Sequence, residues 1–190
     1  MIPKILHFIW IGGPVPQWAE RNMAEFRRLN PEHEIRLHGE EALRDEYRDA
    51  YDAAVLPETK SDLLRYSVLQ AFGGWYFDLD FWPMRPVADI ESAYRLDGEK
   101  LFVTEQHFQK NPRLTTANGI LAAGTDCRAW PWINRAIAEV PQPAERCAYG
   151  PELLTALVRL SPGLFEVGHW PWFYPLGRAD AAPAWRRMIG

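Results

Sequence analysis

Apolar residues in the first third of the chain come in short blocks whose period changes from block to block. Residues 4–11, Lys-Ile-Leu-His-Phe-Ile-Trp-Ile, are almost continuously apolar and stop at Gly12-Gly13-Pro14, which predicts a buried first strand over residues 3–11. Trp18, Met23, Phe26 and Leu29 then recur at helical spacing and predict a helix over residues 18–29 with those side chains inward. A strand at 34–37 and a polar helix at 40–48 complete a βαβ opening. Leu63, Leu64, Ser67, Val68, Ala71 and Phe72 mark another helix, capped by Thr59 or Ser61 and stopped at Gly73-Gly74, with Asp62 in its first turn and Arg65 one turn later. From Trp75 the chain reads Trp-Tyr-Phe-Asp-Leu-Asp-Phe, a central strand buried on both faces. Further on, 101–105, 120–123, 165–167 and 172–174 read as strands, and 130–140 and 151–160 as helices.

Alternate residues of a strand share a face, so a strand through residue 81 would set Asp78 and Asp80 side by side with Leu79 turned inward. Two neighbouring carboxylates repel, and burial disfavours their charged form, so a cation is the natural occupant of the gap. Hard oxygen ligands suit magnesium, manganese or calcium, and two carboxylates leave coordination positions for water or a diphosphate. Against this stands the fact that Asp-x-Asp also arises by chance. Gly12-Gly13 is followed by neither Gly-x-Gly-x-x-Gly nor a Walker lysine, which excludes a dinucleotide or P-loop site. His7, alone within an apolar run, reads as a core residue rather than a metal ligand.

The order of blocks carries more information than any one of them. HFIWIGGP, NPEHEIRLHGE, KSDLLRY, GGWYFDLD, an Asn-Gly element and YGPELLT together resemble the DXD-containing glycosyltransferases of family 32, and the glucosyltransferase domain of the large clostridial toxins, over residues 2–175. The resemblance implies a GT-A type α/β fold with a Rossmann-like mixed sheet. It also implies a nucleoside-diphosphate sugar donor carrying uridine or guanosine, a manganese or magnesium cofactor, and transfer with retention of configuration to a hydroxyl acceptor. By position it implies that Asp78 and Asp80 bind the metal, that Asp78 also reaches the donor, and that Asp62 and Arg65 grip the donor sugar and phosphate. Tyr76 would lie beside the diphosphate, Trp10 would stack on the base over the turning Gly12-Gly13, and Asn118 and Gly119 would border the acceptor side.

Those roles suit the residue types. A sugar's hydroxyls need fixed acceptors such as Asp62, a guanidinium offers a planar fork for phosphate or carboxylate, and indole is a platform for a flat base. The alternatives from residue type alone are a helix-capping Asp62, a surface ion pair for Arg65, a core Trp10 and a turn-forming Asn118. Tyr149-Gly150-Pro151 matches the family's Thr-Gly-Pro helix start and Phe173-Tyr174-Pro175 its Phe-Tyr-Pro. Relatives continue to a C-terminal His and Ser-Trp that close over the diphosphate; here His169 and Trp185 stand nearest to that role, at spacings that do not fit. A carbohydrate-binding module using Trp10, Trp75, Trp82, Trp130, Trp132, Trp170 and Trp172 is a competing class, as is a metal-dependent phosphohydrolase or nucleotidyltransferase, which would want further acidic or His ligands.

Composition bounds the rest. The 190 residues, 47% hydrophobic, suffice for one domain over 1–190, with 1–110 as the donor and metal half and 111–190, richer in loops, as the acceptor half. A net charge of −4 without a basic block disfavours nonspecific nucleic-acid binding. Cys127 and Cys147 form no disulfide framework and read as reduced thiols. The N-terminus lacks the features of a signal peptide, and no run of roughly eighteen apolar residues marks a membrane span. The expectation is therefore a cytoplasmic enzyme, at most peripheral to the inner face of a membrane.

Overall fold

The computed structural model describes residues 1–106, 115–139, 148–169 and 173. A six-stranded sheet in the order β2-β1-β3-β5-β4-β6 forms its centre. β1 (Ile5–Ile9) runs parallel to β2 (Glu34–His38) and to β3 (Gly74–Phe77), and β4 (Leu101–Glu105) runs parallel to β6 (Phe165–Gly168). β5 (Thr116–Ala123) is antiparallel to both β3 and β4, which makes the sheet mixed.

Strand side chains feed two cores by the period of two. Leu6, Phe8, Trp75 and Phe77 pack on one face with Phe26 of α1 (Gln17–Leu29) and Val87 of α4 (Val87–Tyr94). Ile9, Tyr76, Val103 and Leu121 pack on the other with α3 (Pro57–Phe72), α5 (Trp130–Glu139) and α6 (Leu153–Leu160). Trp75 and Trp130 are core residues, which removes them from any carbohydrate-binding surface, whereas Trp82 and Trp132 are exposed.

Several boundaries differ from the sequence reading. α1 forms, but Trp18 is exposed and Ala19 takes the inward position. The polar helix expected at 40–48 is instead two 3-10 turns, Glu40–Ala42 and Asp45–Tyr47, followed by a short α2 (Arg48–Ala53). α3 starts at Pro57, whose fixed φ and missing N–H suit the first helical position, so Thr59 and Ser61 lie inside the helix and cap nothing. Residues 59–69 of α3 are almost all buried, because the helix lies between the sheet and its neighbours. It stops at Gly73, with φ +62, and β3 opens at Gly74, with φ +101, where a side chain would meet the Ile5 carbonyl at 2.6 Å.

β3 ends at Phe77, so Asp78-Leu79-Asp80 is not a strand segment. The Asp78 N–H still bonds the Gly119 carbonyl at 2.8 Å, and the chain then turns, with the Phe81 N–H on the Asp78 carbonyl at 3.1 Å. Leu79 is buried as expected, reaching the α1 core from a turn. Asn118 and Gly119 belong to β5, in a bulge between the Phe102–Ala122 and Thr104–Ala117 pairs. Of residues 172–174 only Phe173 is described, and its ring packs on Phe102 at 5.8 Å. Val140, Cys147, Trp170, Trp185, Tyr174 and Pro175 lie outside the described residues. Cys127 is a buried free thiol.

Candidate active site

β1 and β3 are neighbouring parallel strands that finish at the same end of the sheet, where β5 runs back antiparallel to β3. A cleft of about 530 Å³ opens there, lined by Trp10, Trp18, Asp62, Arg65, Asp78 and Asp80 among others. The expected site residues, separated by up to 108 positions, thus share one cavity. Gly119 contributes through its backbone, as the acceptor for Asp78.

Arg65 organises the cleft. Its Nη1 donates to the Asn118 carbonyl at 2.7 Å, its Nη2 to Ser61 Oγ at 3.1 Å and its Nε to the Ser61 carbonyl at 3.2 Å. Its Nη2 lies 3.3 Å from Asp62 Oδ1 and its Nη1 3.4 Å from Asp78 Oδ1, while the guanidinium sits 4.8 Å above the Tyr76 ring. Burial works against its charge, but Asp78, Tyr76 and Asp62 outweigh that and hold it above its ordinary range. The surface ion pair considered for Arg65 is ruled out, since its side chain is only 6% exposed.

Asp62 sits inside α3 rather than at its cap and receives the Asn118 amide at 2.7 Å on Oδ1. Burial pushes its carboxyl up to about 6 against the pull of Arg65 and Asn118. The turn considered for Asn118 is thereby replaced by a strand position whose side chain reaches α3. Tyr76 is almost wholly buried beneath Arg65 and donates its hydroxyl to Asp78 Oδ1 at 2.6 Å, which orients that carboxylate. Asp80 is exposed over its outer side, yet the cleft wall desolvates its carboxyl and, with the charge of Asp78, raises it above the usual carboxylate range.

Trp10 leaves the end of β1 half-buried, with its Nε1 donating to the Gly13 carbonyl at 3.1 Å and its ring edge-on to Trp18 at 6.1 Å. It lines the cleft and is no core tryptophan. His7 is fully buried away from the cleft; its Nε2 donates to the Gly73 carbonyl at 2.7 Å and its Nδ1 pairs with His38 Nε2 at 2.9 Å. Desolvation lowers it to about 4, as suits a neutral core residue. His169 pairs with Glu105 at 3.0 Å and does not line the cleft.

Ser61, Trp18 and Glu58 line the cleft without being legible in the sequence as site residues. In sequence Ser61 reads only as a cap, although its spacing of four from Arg65 on a helix is a signal for contact. Periodicity places Trp18 inward, whereas the structure exposes it at the cleft.

Asp78 and Asp80 are hard oxygen donors of the kind a divalent cation takes. Among the described residues no group of three or more His, Cys, Asp or Glu could hold a metal. A hard cation would thus take Asp78 and Asp80 and complete its shell from a ligand, as magnesium and manganese do with diphosphates. The raised carboxyl of Asp80 is the state such an ion would relieve.

Residues 19–97 match the family described as the glycosyltransferase sugar-binding region containing DXD motif. Inositol phosphoceramide mannosyltransferase 2 of Schizosaccharomyces pombe is 33% identical over 87 residues, covering 42% of this chain and 25% of the relative. The chain thus spans a quarter of that relative's length. In fold it resembles the PaToxG glycosyltransferase, with a TM-score of 0.65 at 18% identity over 85% of this chain and 71% of the other. It also resembles the UDP-bound glycosyltransferase domain of the YGT toxin (TM-score 0.58, 10% identity, 87% and 79% covered). The catalytic domain of alpha-toxin from Clostridium novyi is a further likeness (0.53, 12%, 84% and 64%). The sheet and its flanking helices are accordingly of GT-A type.

Proposed function

We propose that this protein is a nucleotide-sugar-dependent glycosyltransferase that moves a sugar, with retention of configuration, to a hydroxyl acceptor. One observation carries the reading: Asp62, Arg65, Asp78 and Asp80 converge in a single cleft that Trp10 also lines. The donor base stacks on Trp10, the diphosphate lies toward Asp78 and Asp80, and the sugar hydroxyls donate to Asp62. The UDP held by the YGT domain favours uridine over guanosine as the donor base.

Asp78 and Asp80 would hold manganese or magnesium, which when bound neutralises diphosphate charge. Arg65 is positioned without further rearrangement, because Ser61, the Asn118 carbonyl and two carboxylates already fix its fork. As the bond from the anomeric carbon to the β-phosphate oxygen lengthens, charge accumulates on that oxygen, and the guanidinium stabilises it most at that moment. The acceptor oxygen bonds to the anomeric carbon from the same face, and its proton passes to the departing phosphate oxygen. No side-chain nucleophile is required. Asn118, adjoining Asp62, borders the acceptor side, and the exposed Trp18 ring suits stacking on an apolar sugar face.

The buried free thiol of Cys127 supports a reducing, cytoplasmic setting for this reading. Among the described residues no helix is long and apolar enough to cross a membrane.

The test is a panel of UDP- and GDP-sugars with manganese, read first as thermal stabilisation, since a ligand stabilises only the state that binds it. Turnover is then followed as release of nucleoside diphosphate. Release of pyrophosphate instead would mark a nucleotidyltransferase, and binding of sugar without turnover would mark a lectin.

A further inference from the structure

Behind the sugar-facing carboxylate the backbone comes unusually close. A Cβ built on Gly150 would lie 2.6 Å from Asn118 Nδ2, 2.6 Å from Asp62 Oδ2 and 3.0 Å from Asp62 Cγ, nearer than real side chains approach. Gly150 does not line the cleft, whereas Asp62, Asn118 and the following Pro151 do. The bonded Asn118–Asp62 pair therefore stands between this backbone and the ligand space.

The backbone is held there from α3 itself. The Tyr66 hydroxyl donates to the Tyr149 carbonyl at 2.8 Å, both groups being buried. Asp62 and Tyr66 are one helical turn apart on the same face, so one residue grips the segment that the other abuts. Neither the Tyr66 hydroxyl nor Gly150 has a part in the metal, base or phosphate contacts proposed above.

We propose that Gly150, with Tyr66 as its anchor, is a positioning residue that fixes Asp62, together with the Asn118 amide bonded to it, for recognition of the donor sugar; this rests on the glycosyl-transfer reading. A methyl group at 150 has two outlets, to push the Asp62–Asn118 pair into the cleft or to lift the 148–152 segment off α3. Either displaces the sugar contacts, whereas Trp10, Asp78 and Asp80 are not among the groups the added methyl meets first.

Gly150→Ala separates these effects. With manganese present, affinity for UDP and GDP is measured by calorimetry, and kcat/KM is measured on UDP-glucose, UDP-galactose, UDP-N-acetylglucosamine and GDP-mannose. Misplacing a binding group by a fraction of its own size costs on the order of tenfold to a hundredfold, so kcat/KM should fall by about that much. Nucleoside diphosphate affinity should stay within roughly twofold of wild type, because base and diphosphate contacts are untouched. Equal losses in both measurements, tracking the fall in Tm, would show that the glycine serves folding alone and overturn the assignment, as would an unchanged kcat/KM. If the alanine variant does not fold, Tyr66→Phe decides: it adds no bulk and removes only the anchoring hydroxyl. The same split in smaller measure is expected, and its absence refutes the role. A folded wild type inert toward every sugar nucleotide tested would instead refute the transferase reading, and this inference with it.

Discussion

Arg65→Lys keeps a positive charge in the cleft but removes the fork that holds it. Five oxygen-bearing groups engage the guanidinium in addition to the Tyr76 ring: the Ser61 carbonyl and hydroxyl, the Asn118 carbonyl, Asp62 and Asp78. An ammonium is a point donor that cannot span carboxylates on α3 and after β3 while also reaching β5. Losing two of these contacts at about 1.5–3 kcal/mol for each bond to a charged group would cost a large share of the roughly 5–15 kcal/mol that holds a domain folded, were water unable to enter. The cleft is open and Asp78 is 36% exposed, so solvent recovers much of that loss. The part that remains is stabilisation of the leaving oxygen, and we expect turnover to fall by at least about tenfold, near 1.4 kcal/mol, with a smaller change in donor affinity. The assay is the initial rate of UDP-sugar hydrolysis at saturating manganese, which needs no acceptor. A second signature follows from Asp62. Arg65 opposes the burial that raises its carboxyl to about 6, so a poorer partner lets it rise further and moves the acid limb of the rate profile to higher pH. Unchanged turnover together with an unmoved acid limb would mean that Arg65 only holds the fold together, and the electrostatic account would be wrong.

Asp80→Asn should abolish manganese-dependent binding of donor while the circular dichroism spectrum stays that of the wild type; full activity in this variant would sink the metal assignment. Trp10→Ala should weaken UDP by roughly 1–3 kcal/mol, with Trp10→Phe recovering part, as measured by calorimetry. Equal UDP affinity in all three proteins would remove Trp10 from the base site. Stability should carry two opposing pH dependences. His7, depressed from 6.5 to about 4, contributes stability that is present above pH 6.5 and lost as pH falls toward 4. Asp62, raised from 3.8 to about 6, contributes stability that is present below pH 3.8 and lost as pH rises through 6. Each spans up to roughly 3 kcal/mol, so the wild-type profile is flattened between pH 4 and 6, and Tm in Asp62→Asn should climb with pH while that in His7→Gln declines. Parallel profiles for the two variants would contradict this linkage.

Local sequence determined those elements whose signal is contained within one block. β1, α1, β2, β4 and the stop at Gly73-Gly74 appear near their expected places, because an apolar period or a glycine's freedom acts over a few residues. The blocks also named the residues that meet in the cleft, since the order HFIWIGGP, KSDLLRY and GGWYFDLD carries a family resemblance that no single period contains. Tertiary structure decided what those residues do to one another. β3 stops at Phe77 because its partner is the bulged β5 at Gly119, so the two acids lie in a turn rather than on a strand face. Arg65 is buried because the Asn118 carbonyl, 53 residues away, completes its fork, and Gly150 closes on Asp62 because Tyr66 holds a carbonyl 83 residues on. Trp18 is exposed although it keeps the helical period of Phe26, because the cleft replaces the sheet beneath that end of α1. Period and propensity report what a residue prefers among its near neighbours, whereas the charge state and orientation of a buried side chain are set by partners that only chain folding brings within hydrogen-bonding distance.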